Sequence, residues 1–376
     1  MNLIEIKEGK VSILVPNPKD YEKNGKFDPS WAPVFYNPRM KLNRDLSVLL
    51  LSGIKPKSVV DALSATGIRG IRYYVEIGGI NKLILNDKNP IAVKLINENV
   101  KRNNVLAEIT NRDANSLLYE VKTEYVDIDP FGSPAPFILS SVNAVISKGY
   151  VAFTATDLSA LECSSKFSAR RKYDLICEKL SFSKELGIRG LIAKVVREAS
   201  VLEKAAYPIF SFYHDYYYRV LFKVENGAKK ADELLRKQRY YYECPNCGFR
   251  ETDENLEKKK CPRCKSDMKV YGPAWSGELW DKGFLIKIRD NMKSFDYLEN
   301  YAIIRKLLDT IYEESKYKTP YYRLDFIASK IKSNIPKKEN LIKCLNDASF
   351  THFDYKAIKS DKEIDDIVSC IKKSTS

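Results

Sequence analysis

Four cysteines in the second half of the chain have the spacing of a metal site. They form two C-x-x-C pairs, Cys244 with Cys247 and Cys261 with Cys264, and thirteen residues separate the pairs. Two such pairs at this spacing are typical of a zinc ion (Zn²⁺) held tetrahedrally by four thiolates. Four protein ligands leave no open coordination position, so the pattern predicts a structural zinc ion. The alternative is a redox-active cysteine pair.

A second candidate site is the segment Val126–Pro134, which reads V-D-I-D-P-F-G-S-P. Val126 and Ile128 alternate with acids, which predicts a strand, and Pro130 ends that strand because it has no N–H to donate. Asp129 is therefore expected at the carboxyl end of a buried strand, where open α/β sheets bind their ligands.

Asp-Pro-aromatic resembles the Asp-Pro-Pro-aromatic tetrapeptide of methyltransferases that modify the exocyclic amine of a base. The resemblance implies that Asp129 and the carbonyl of Pro130 each accept one N–H of the amine. Its lone pair is then localised and directed at a methyl donor. Phe131 would hold the base by stacking. The alternative is that Asp129 caps a loop and Phe131 belongs to the core.

Acids also follow three earlier predicted strands, as Asp61, Asp87 and Asp113. The turn after Asp61 lacks the G-x-G-x-x-G pattern, so a phosphate-binding loop is a poor fit. Its small residues instead allow close approach of a cofactor without phosphate, such as S-adenosylmethionine.

Each polar group has an expected partner on that cofactor. Arg69 could meet its carboxylate, Asp87 its ribose hydroxyls, and Asp113 with the backbone N–H of Ala114 its adenine. The alternative for each acid is capping of a helix N-terminus, a common role of aspartate.

The elements that position these residues alternate between short apolar strands and helices. This alternation predicts an α/β fold with a Rossmann-like parallel sheet and right-handed crossovers. An antiparallel hairpin of Ile209–Tyr213 and Tyr216–Val224 is expected to end the sheet. The predicted strands are Ser58–Asp61, Asn81–Asn86, Glu108–Thr110, Tyr125–Asp129 and Tyr150–Thr156, and the predicted helices include Gly67–Ile77, Pro90–Asn103, Gly190–Ala206, Ala228–Arg239 and Ser294–Ser315.

The composition changes at Asn226-Gly227, which marks the expected domain boundary. Residues 1–226 are predicted to form the cofactor-binding domain. Residues 227–376 are predicted to form an α+β domain that carries a zinc ribbon over residues 240–270.

The charge balance points to a polyanionic partner. Lys and Arg number 63 against 49 Asp and Glu, which gives a net charge of +14. Nucleic acid is the expected partner before a membrane, and the alternative is a basic surface without a partner. The chain has no apolar run long enough for a membrane span and no visible targeting peptide, so a cytoplasmic protein is expected. The remaining cysteines, Cys163, Cys177, Cys344 and Cys370, are expected to be free thiols in a reducing compartment.

With these residues assembled, the chain resembles the tRNA (guanine-26-N2)-dimethyltransferase family. The matching segments run in order over nearly the whole chain. They are Val34–Asp45 (V-F-Y-N-P-R-M-K-L-N-R-D), Asp61–Arg72 (D-A-L-S-A-T-G-I-R-G-I-R), Asn86–Asp87, Asp127–Pro134 (D-I-D-P-F-G-S-P), Thr154–Asp157, Tyr271–Leu279 (Y-G-P-A-W-S-G-E-L) and Thr351–Phe353.

The resemblance implies that S-adenosylmethionine is the methyl donor and tRNA the substrate, gripped by the C-terminal domain. By the same resemblance Asp129 and Pro130 hold the guanine N2, while Phe131 and Phe35 enclose the base. Two features depart from the general motifs. The sequence D-P-F-G lacks an aromatic residue at its fourth position, and the four-cysteine ribbon is present in only some family members. The residues implied for the cofactor are Arg44, Asp61, Arg69, Asp87, Asp113 and Ala114.

Two other functions remain open from the sequence. One is a methyltransferase that acts on an adenine or cytosine amine in DNA or ribosomal RNA. The other is a zinc-ribbon RNA-binding protein without catalytic activity, which would need no acids after four successive strands. A monomer is expected.

Overall fold

The computed structural model describes residues 1–23 and 26–375, so residues 24, 25 and 376 of the two predicted domains lie outside the described residues. The chain begins with an antiparallel hairpin of β1 (Leu3–Glu8) and β2 (Val11–Pro16). The alternating side chains of Val11, Ile13 and Val15 are buried, which fixes this hairpin on the domain that follows. A second short hairpin joins β3 (Glu22–Lys23) to β4 (Lys26–Phe27).

Strands and helices then alternate as the sequence predicts, because each apolar strand needs a helix on either face to exclude water. In chain order the elements are α1 (Lys41–Ile54), β5 (Ser58–Asp61), α2 (Ile68–Ile77), β6 (Lys82–Asn86), α3 (Pro90–Arg102), β7 (Glu108–Thr110), α4 (Ala114–Glu120), β8 (Thr123–Ile128), α5 (Ile138–Ala144), β9 (Val145–Ala155), α6 (Leu158–Leu161), α7 (Lys166–Tyr173), β10 (Ile176–Cys177), α8 (Ser183–Val201), β11 (Lys204–His214) and β12 (Tyr217–Asn226).

Seven of these strands form the central sheet, in the order β7-β6-β5-β8-β9-β12-β11. Strands β5 to β9 pair in parallel, whereas β12 runs antiparallel to both β9 and β11. The predicted Rossmann-like sheet that ends in a hairpin is confirmed. Strand order reverses at β5, and the loops after β5, β6 and β8 therefore open onto one crevice at the carboxyl edge.

Gly70 allows helix α2 to lie close to the sheet. A Cβ atom added there would lie 2.3 Å from Leu85 of β6 and 3.4 Å from the Asp61 side chain. Only glycine permits this approach, so Gly70 sets the position of α2 and of Arg69 beside it.

The second half of the chain adds a small sheet, helices and a terminal module. Its elements are α9 (Ala228–Leu235), β13 (Gln238–Glu243), β14 (Arg250–Asp253), β15 (Lys269–Trp275), α10 (Lys282–Asn291), α11 (Tyr301–Glu314), β16 (Tyr322–Arg323), α12 (Leu324–Lys330), α13 (Lys338–Leu345), β17 (Ser349–Phe350), β18 (Ala357–Lys359) and α14 (Ile364–Thr375). The small sheet has the order β10-β15-β13-β14, and β16-β18-β17 form a third sheet. Turns of 3₁₀ helix lie at Pro18–Tyr21, Pro29–Trp31, Pro38–Met40, Ala135–Phe137 and Met292–Phe295.

Three predicted helices have wrong bounds. The helix expected over Gly190–Ala206 begins earlier and ends at Val201, because Ala205 and Ala206 pair with β12. The helix expected over Ala228–Arg239 ends at Leu235, and Gln238 begins a strand. The long helix expected over Ser294–Ser315 is interrupted before Tyr301.

The four cysteines expected as free thiols form two disulfides instead. Cys163 bonds to Cys177, and Cys344 of α13 bonds to Cys370 of α14. The prediction was wrong because it rested on the lack of a secretion signal. Such a signal does not determine which thiols the fold brings within bonding distance.

The main hydrophobic core extends across both halves of the chain. Its buried members include Leu49 and Leu50 of α1 together with Leu285 and Ile288 of α10. Strand β10 of the first half also pairs with β15 of the second. The boundary at residue 226 stays a prediction, since domains can share such an interface.

Candidate functional site

A cavity of about 830 Å³ lies at the carboxyl edge of the central sheet. Its walls come from the loops after β5, β6, β8 and β9, from the segment before α1, and from the tip of the β11–β12 hairpin. The fold therefore brings together eight of the residues that the sequence singled out. These are Phe35, Arg44, Asp61, Arg69, Asp87, Asp129, Pro130 and Phe131.

Asp129 faces the cavity in contact with Arg69. The Arg69 guanidinium forms an ion pair with the Asp129 carboxylate and donates a hydrogen bond to Ser47 Oγ over 3.0 Å. Its Nε also lies 3.7 Å from Asp127. Both side chains line the cavity, and Asp129, 21% exposed, is the more accessible member of the pair.

Asp127 is held as a buried anion directly below the site. Two nitrogens of Arg219 donate to it over 2.9 and 2.5 Å, and the hydroxyls of Tyr73 and Tyr125 donate over 2.7 and 2.9 Å. Burial acts to raise the pKa of Asp127, but Arg219 and Arg69 outweigh it and hold that pKa well below its usual range.

The pKa of Asp61, on the neighbouring strand, shifts in the opposite direction to that of Asp127. Burial and the nearby Asp127 carboxylate raise the pKa of Asp61 to about 7. Its Oδ2 accepts a single backbone hydrogen bond, from Gly70 N over 3.1 Å. Asp61 is thus a carboxyl group at the cavity wall whose charge changes near neutral pH.

Arg44 is oriented by an acid that the sequence did not indicate. Glu8, at the end of β1, accepts from Arg44 Nε over 2.7 Å and from Nη2 over 2.8 Å. Arg72 donates to the same carboxylate over 2.9 Å. Burial acts to raise the pKa of Glu8, but Arg44 and Arg72 lower it to about 2. No local pattern marks Glu8, because its partners lie 36 and 64 residues away.

Asp87 organises the turn after β5. Its Oδ2 accepts from Ala65 N over 2.9 Å and its Oδ1 from Asn89 N over 2.9 Å. Ala65 has a positive φ of 51°, a conformation that a non-glycine residue adopts only when its surroundings hold it. Each carboxylate oxygen keeps a free lone pair, so Asp87 can still accept hydroxyl groups from a ligand in the cavity.

Asp113 and Ala114 do not line this cavity. Asp113 caps helix α4 and accepts from Ser116 N over 3.1 Å, which is the capping role that the sequence left open. Ala114 is buried. Their assignment to an adenine remains a prediction.

Two aromatic rings cover the cavity mouth. The centroids of Phe35 and Phe131 lie 4.2 Å apart in an edge-to-face arrangement, and Phe131 is 66% exposed. The alternative interpretation of Phe131 as a core residue is wrong. Because the two rings touch, a base can enter between them only if at least one ring moves.

Side chains distant in sequence brace the loop that carries Asp129. Gly132 N donates to Thr156 Oγ1 over 2.9 Å, and the hydroxyl of Ser133 lies 2.7 Å from that of Tyr173. On the opposite wall, Asn37 Nδ2 donates to Tyr216 OH over 3.0 Å. Asn37 lies inside the first family segment, whereas Tyr173 and Tyr216 have no sequence signal of a role at the site.

The four clustered cysteines meet the geometric requirements for zinc. Their sulfur atoms all lie within 4.8 Å of one another. Cys244 Sγ is 3.3 Å from Cys264 Sγ, and Cys247 Sγ is 3.5 Å from Cys261 Sγ. Zinc–sulfur bonds of about 2.3 Å in a tetrahedron place the sulfurs about 3.8 Å apart, so the donor set fits one zinc ion.

The sheet order, its terminal hairpin and the acid-lined crevice define the methyltransferase variant of the Rossmann-like fold. A family model described as N2,N2-dimethylguanosine tRNA methyltransferase matches residues 9–372. The chain belongs to that family.

Relatives and a solved structure agree over the full length. The chain is 71% identical over 372 residues to a tRNA (guanine(26)-N(2))-dimethyltransferase of Sulfurisphaera tokodaii, covering 99% of this chain and 100% of the relative. It is 58% identical over 378 residues to the enzyme of the same name from Sulfolobus acidocaldarius, covering 100% of this chain and 99% of the relative. The complex of Trm1 from Pyrococcus horikoshii with S-adenosyl-L-methionine superposes with a TM-score of 0.87 at 32% identity, covering 98% of this chain and 100% of that one.

None of the helices among the described residues is both long and apolar enough to span a bilayer.

Proposed function

We propose that this protein dimethylates the exocyclic N2 of the guanine at position 26 of tRNA, with S-adenosylmethionine as the methyl donor. The observation that carries the proposal is that one cavity contains Asp129, Pro130 and the Phe35–Phe131 pair beside the buried cations Arg44 and Arg69. Family membership and the full-length relatives support the substrate and the product.

The residues of the crevice fit the cofactor. S-adenosylmethionine supplies a methyl group on a positively charged sulfur. Arg44 and Arg69 are the cations available to its carboxylate, Asp61 is available to its amino group, and Asp87 to its ribose hydroxyls. Asp113 and Ala114 remain our candidates for its adenine, although they lie outside the cavity walls.

The chain's contribution to the reaction is orientation and charge. Asp129 and the Pro130 carbonyl each accept one N–H of the guanine amine, and Phe35 and Phe131 fix the plane of the ring. The N2 lone pair forms the new N–C bond as the methyl–sulfur bond breaks, and the electron pair of that bond stays on sulfur. Asp129 accepts the proton that N2 then loses. A second turnover with fresh cofactor replaces the remaining proton.

Removing the Asp129 carboxylate should strongly reduce methylation and spare cofactor binding. Asp129→Asn keeps the size of the side chain but presents an N–H donor to the amine, so we expect a loss of roughly 10²- to 10⁴-fold in kcat. Nucleoside mass spectrometry of an unmodified tRNA transcript measures the products, N2-methyl- and N2,N2-dimethylguanosine.

Two controls define the outcome. A transcript with adenine at position 26 should give no product, and Asp129→Asn should bind S-adenosylmethionine like the wild type. A methylated adenosine or cytidine would overturn the substrate. Loss of cofactor affinity in Asp129→Asn would overturn the role of Asp129.

The proposal also covers the organisation of the chain. Residues 1–226 hold the cofactor and the target base, and residues 227–376, with zinc bound at Cys244, Cys247, Cys261 and Cys264, bind tRNA. We propose a monomeric enzyme that acts in the cytoplasm. Light scattering of the protein with and without tRNA would contradict this if it gave a mass of two chains.

A further inference from the structure

Helix α7 is short, basic and closed into a loop by a disulfide. The Cys163–Cys177 bond joins the residues on either side of α7. Between them the chain contains four cations and one acid, in the sequence S-S-K-F-S-A-R-R-K-Y-D-L-I. That acid, Asp174, forms an ion pair with Lys194 of α8 over 2.9 Å, so its charge does not offset the positive charge of α7.

The two faces of α7 differ in chemistry. Ala169 and Tyr173, four residues apart, form the buried face. The opposite face carries Phe167, 81% exposed, together with the exposed Arg170 and Arg171. Within the described residues, neither arginine side chain forms an ion pair or hydrogen bond, so both guanidinium groups are available to a partner.

The buried face of α7 contacts the loop that carries Asp129. The hydroxyl of Tyr173 lies 2.7 Å from that of Ser133 and donates to Asp157 over 2.7 Å. Lys172 donates to the same aspartate over 3.1 Å. Ser133 follows Asp129 by four residues, and four residues span at most about 14 Å. The exposed face of α7 thus lies within a few nucleotides of a base bound at Asp129.

We propose that the exposed face of α7 binds the tRNA strand next to the target guanine. Arg170 and Arg171 pair with phosphates, and Phe167 stacks on a neighbouring base that the opened strand leaves unpaired. Lys166 adds a further cation at the start of the helix, because its ion pair with Glu178 spans 3.7 Å and the Lys166 side chain is 63% exposed.

An RNA strand fits this surface better than a protein does. Protein interfaces place an apolar centre inside a polar rim, whereas here one aromatic ring stands among free cations. Guanidinium groups bind phosphate through paired N–H donors, and an exposed ring stacks on any base. This inference rests on the proposed function, because it requires that tRNA be the substrate.

The test compares tRNA affinity and its salt dependence between two double variants of the full-length protein. The test variant is Arg170→Ala/Arg171→Ala. The control is Lys57→Ala/Lys82→Ala, where both side chains are also exposed. Lys57 precedes β5 and Lys82 begins the parallel strand β6, so these two cations lie at the edge of the sheet opposite the cavity.

We expect the test variant to weaken tRNA binding roughly tenfold near physiological salt. Each lost phosphate contact lowers the slope of log affinity against log salt by about 0.7 for a single strand, so the slope should fall by roughly 1.4. The loss should appear in KM for tRNA, with the affinity for S-adenosylmethionine unchanged. Phe167→Leu keeps an apolar side chain but removes the ring, and it should weaken binding without changing the slope.

Wild-type affinity and slope in the test variant, or an equal loss in the Lys57→Ala/Lys82→Ala control, would overturn the inference. Failure of the wild-type protein to methylate tRNA would instead overturn the proposed function. Unaltered thermal unfolding of each variant confirms that these exposed substitutions leave the fold intact.

Discussion

Asp61 and Asp127 occupy paired positions on adjacent parallel strands, but their electrostatic environments are opposite. Asp127 has two arginines and two tyrosine hydroxyls, and its pKa is lowered. Asp61 has one backbone donor, and burial beside Asp127 raises its pKa to about 7. The cavity therefore presents a permanent anion below its floor and a titrating acid in its wall.

This difference predicts a pH-dependent effect of Asp61→Asn on stability. The folded chain binds the Asp61 proton more tightly than the unfolded chain, whose aspartate pKa is about 3.9. Ionisation of Asp61 thus lowers the free energy of unfolding as pH rises from about 4 to 7, by roughly 4 kcal/mol at most. The amide that replaces the carboxyl group is neutral throughout and can still accept from Gly70. We expect the Tm of Asp61→Asn to exceed the wild-type Tm progressively over this range, and a difference independent of pH would contradict the assignment.

Sequence reasoning found residues that a local pattern marks and missed those that only contacts reveal. Asp129, Pro130 and Phe131 follow a strand with period-two alternation and lie in the cavity as expected. Tyr216 also lines the cavity and Glu8 orients Arg44 of its wall, but their partners, Asn37 and Arg44, lie 179 and 36 residues away. No period or spacing carries information over such distances.

At the level of elements, all the parallel strands were predicted, but not all of their bounds. Strands Ser58–Asp61 and Glu108–Thr110 have the predicted bounds, whereas β8 begins two residues before the predicted Tyr125 and β9 five residues before the predicted Tyr150. The ends of the long helices were not predicted. Tyr297 and Asn300 break the expected helix, and their side chains instead donate to Glu76 and Asp45, each over 2.8 Å. These half-buried contacts outweigh local helix propensity.

The disulfide around α7 predicts a localised effect of its removal. Cys163→Ser/Cys177→Ser opens a loop with a sequence separation of 14, and the added entropy of the unfolded chain should cost about 3 kcal/mol of stability. Because the bond holds both ends of α7, amide hydrogen exchange should become faster in α7. The matched control, Cys344→Ser/Cys370→Ser, should lose similar stability but accelerate exchange in α13 and α14. Equal exchange of α7 in the two variants would show that the disulfide does not constrain it.

For the whole molecule, a shared core predicts one cooperative unfolding transition. Apolar residues of α1 and α10 belong to the same cluster, and the buried Lys359 donates to Glu185 of α8 over 3.1 Å. Calorimetry should therefore give a single peak whose measured and van't Hoff enthalpies agree. Lys359→Met leaves Glu185 paired with Arg189 and should lower the Tm while the peak stays single. Two separated transitions would contradict the prediction.

The ion pair between Glu185 and Lys359 and the common core also fix the distance between the two halves of the chain. Any group on the second half that holds tRNA lies at a set separation from Asp129, because the halves share buried contacts rather than a flexible linker. An enzyme built in this way can select one guanine among many by how far it lies from a distant, sequence-independent contact. The length of the substrate's own arms then becomes part of the recognition signal, and lengthening an arm by one base pair would move a different nucleotide into the crevice.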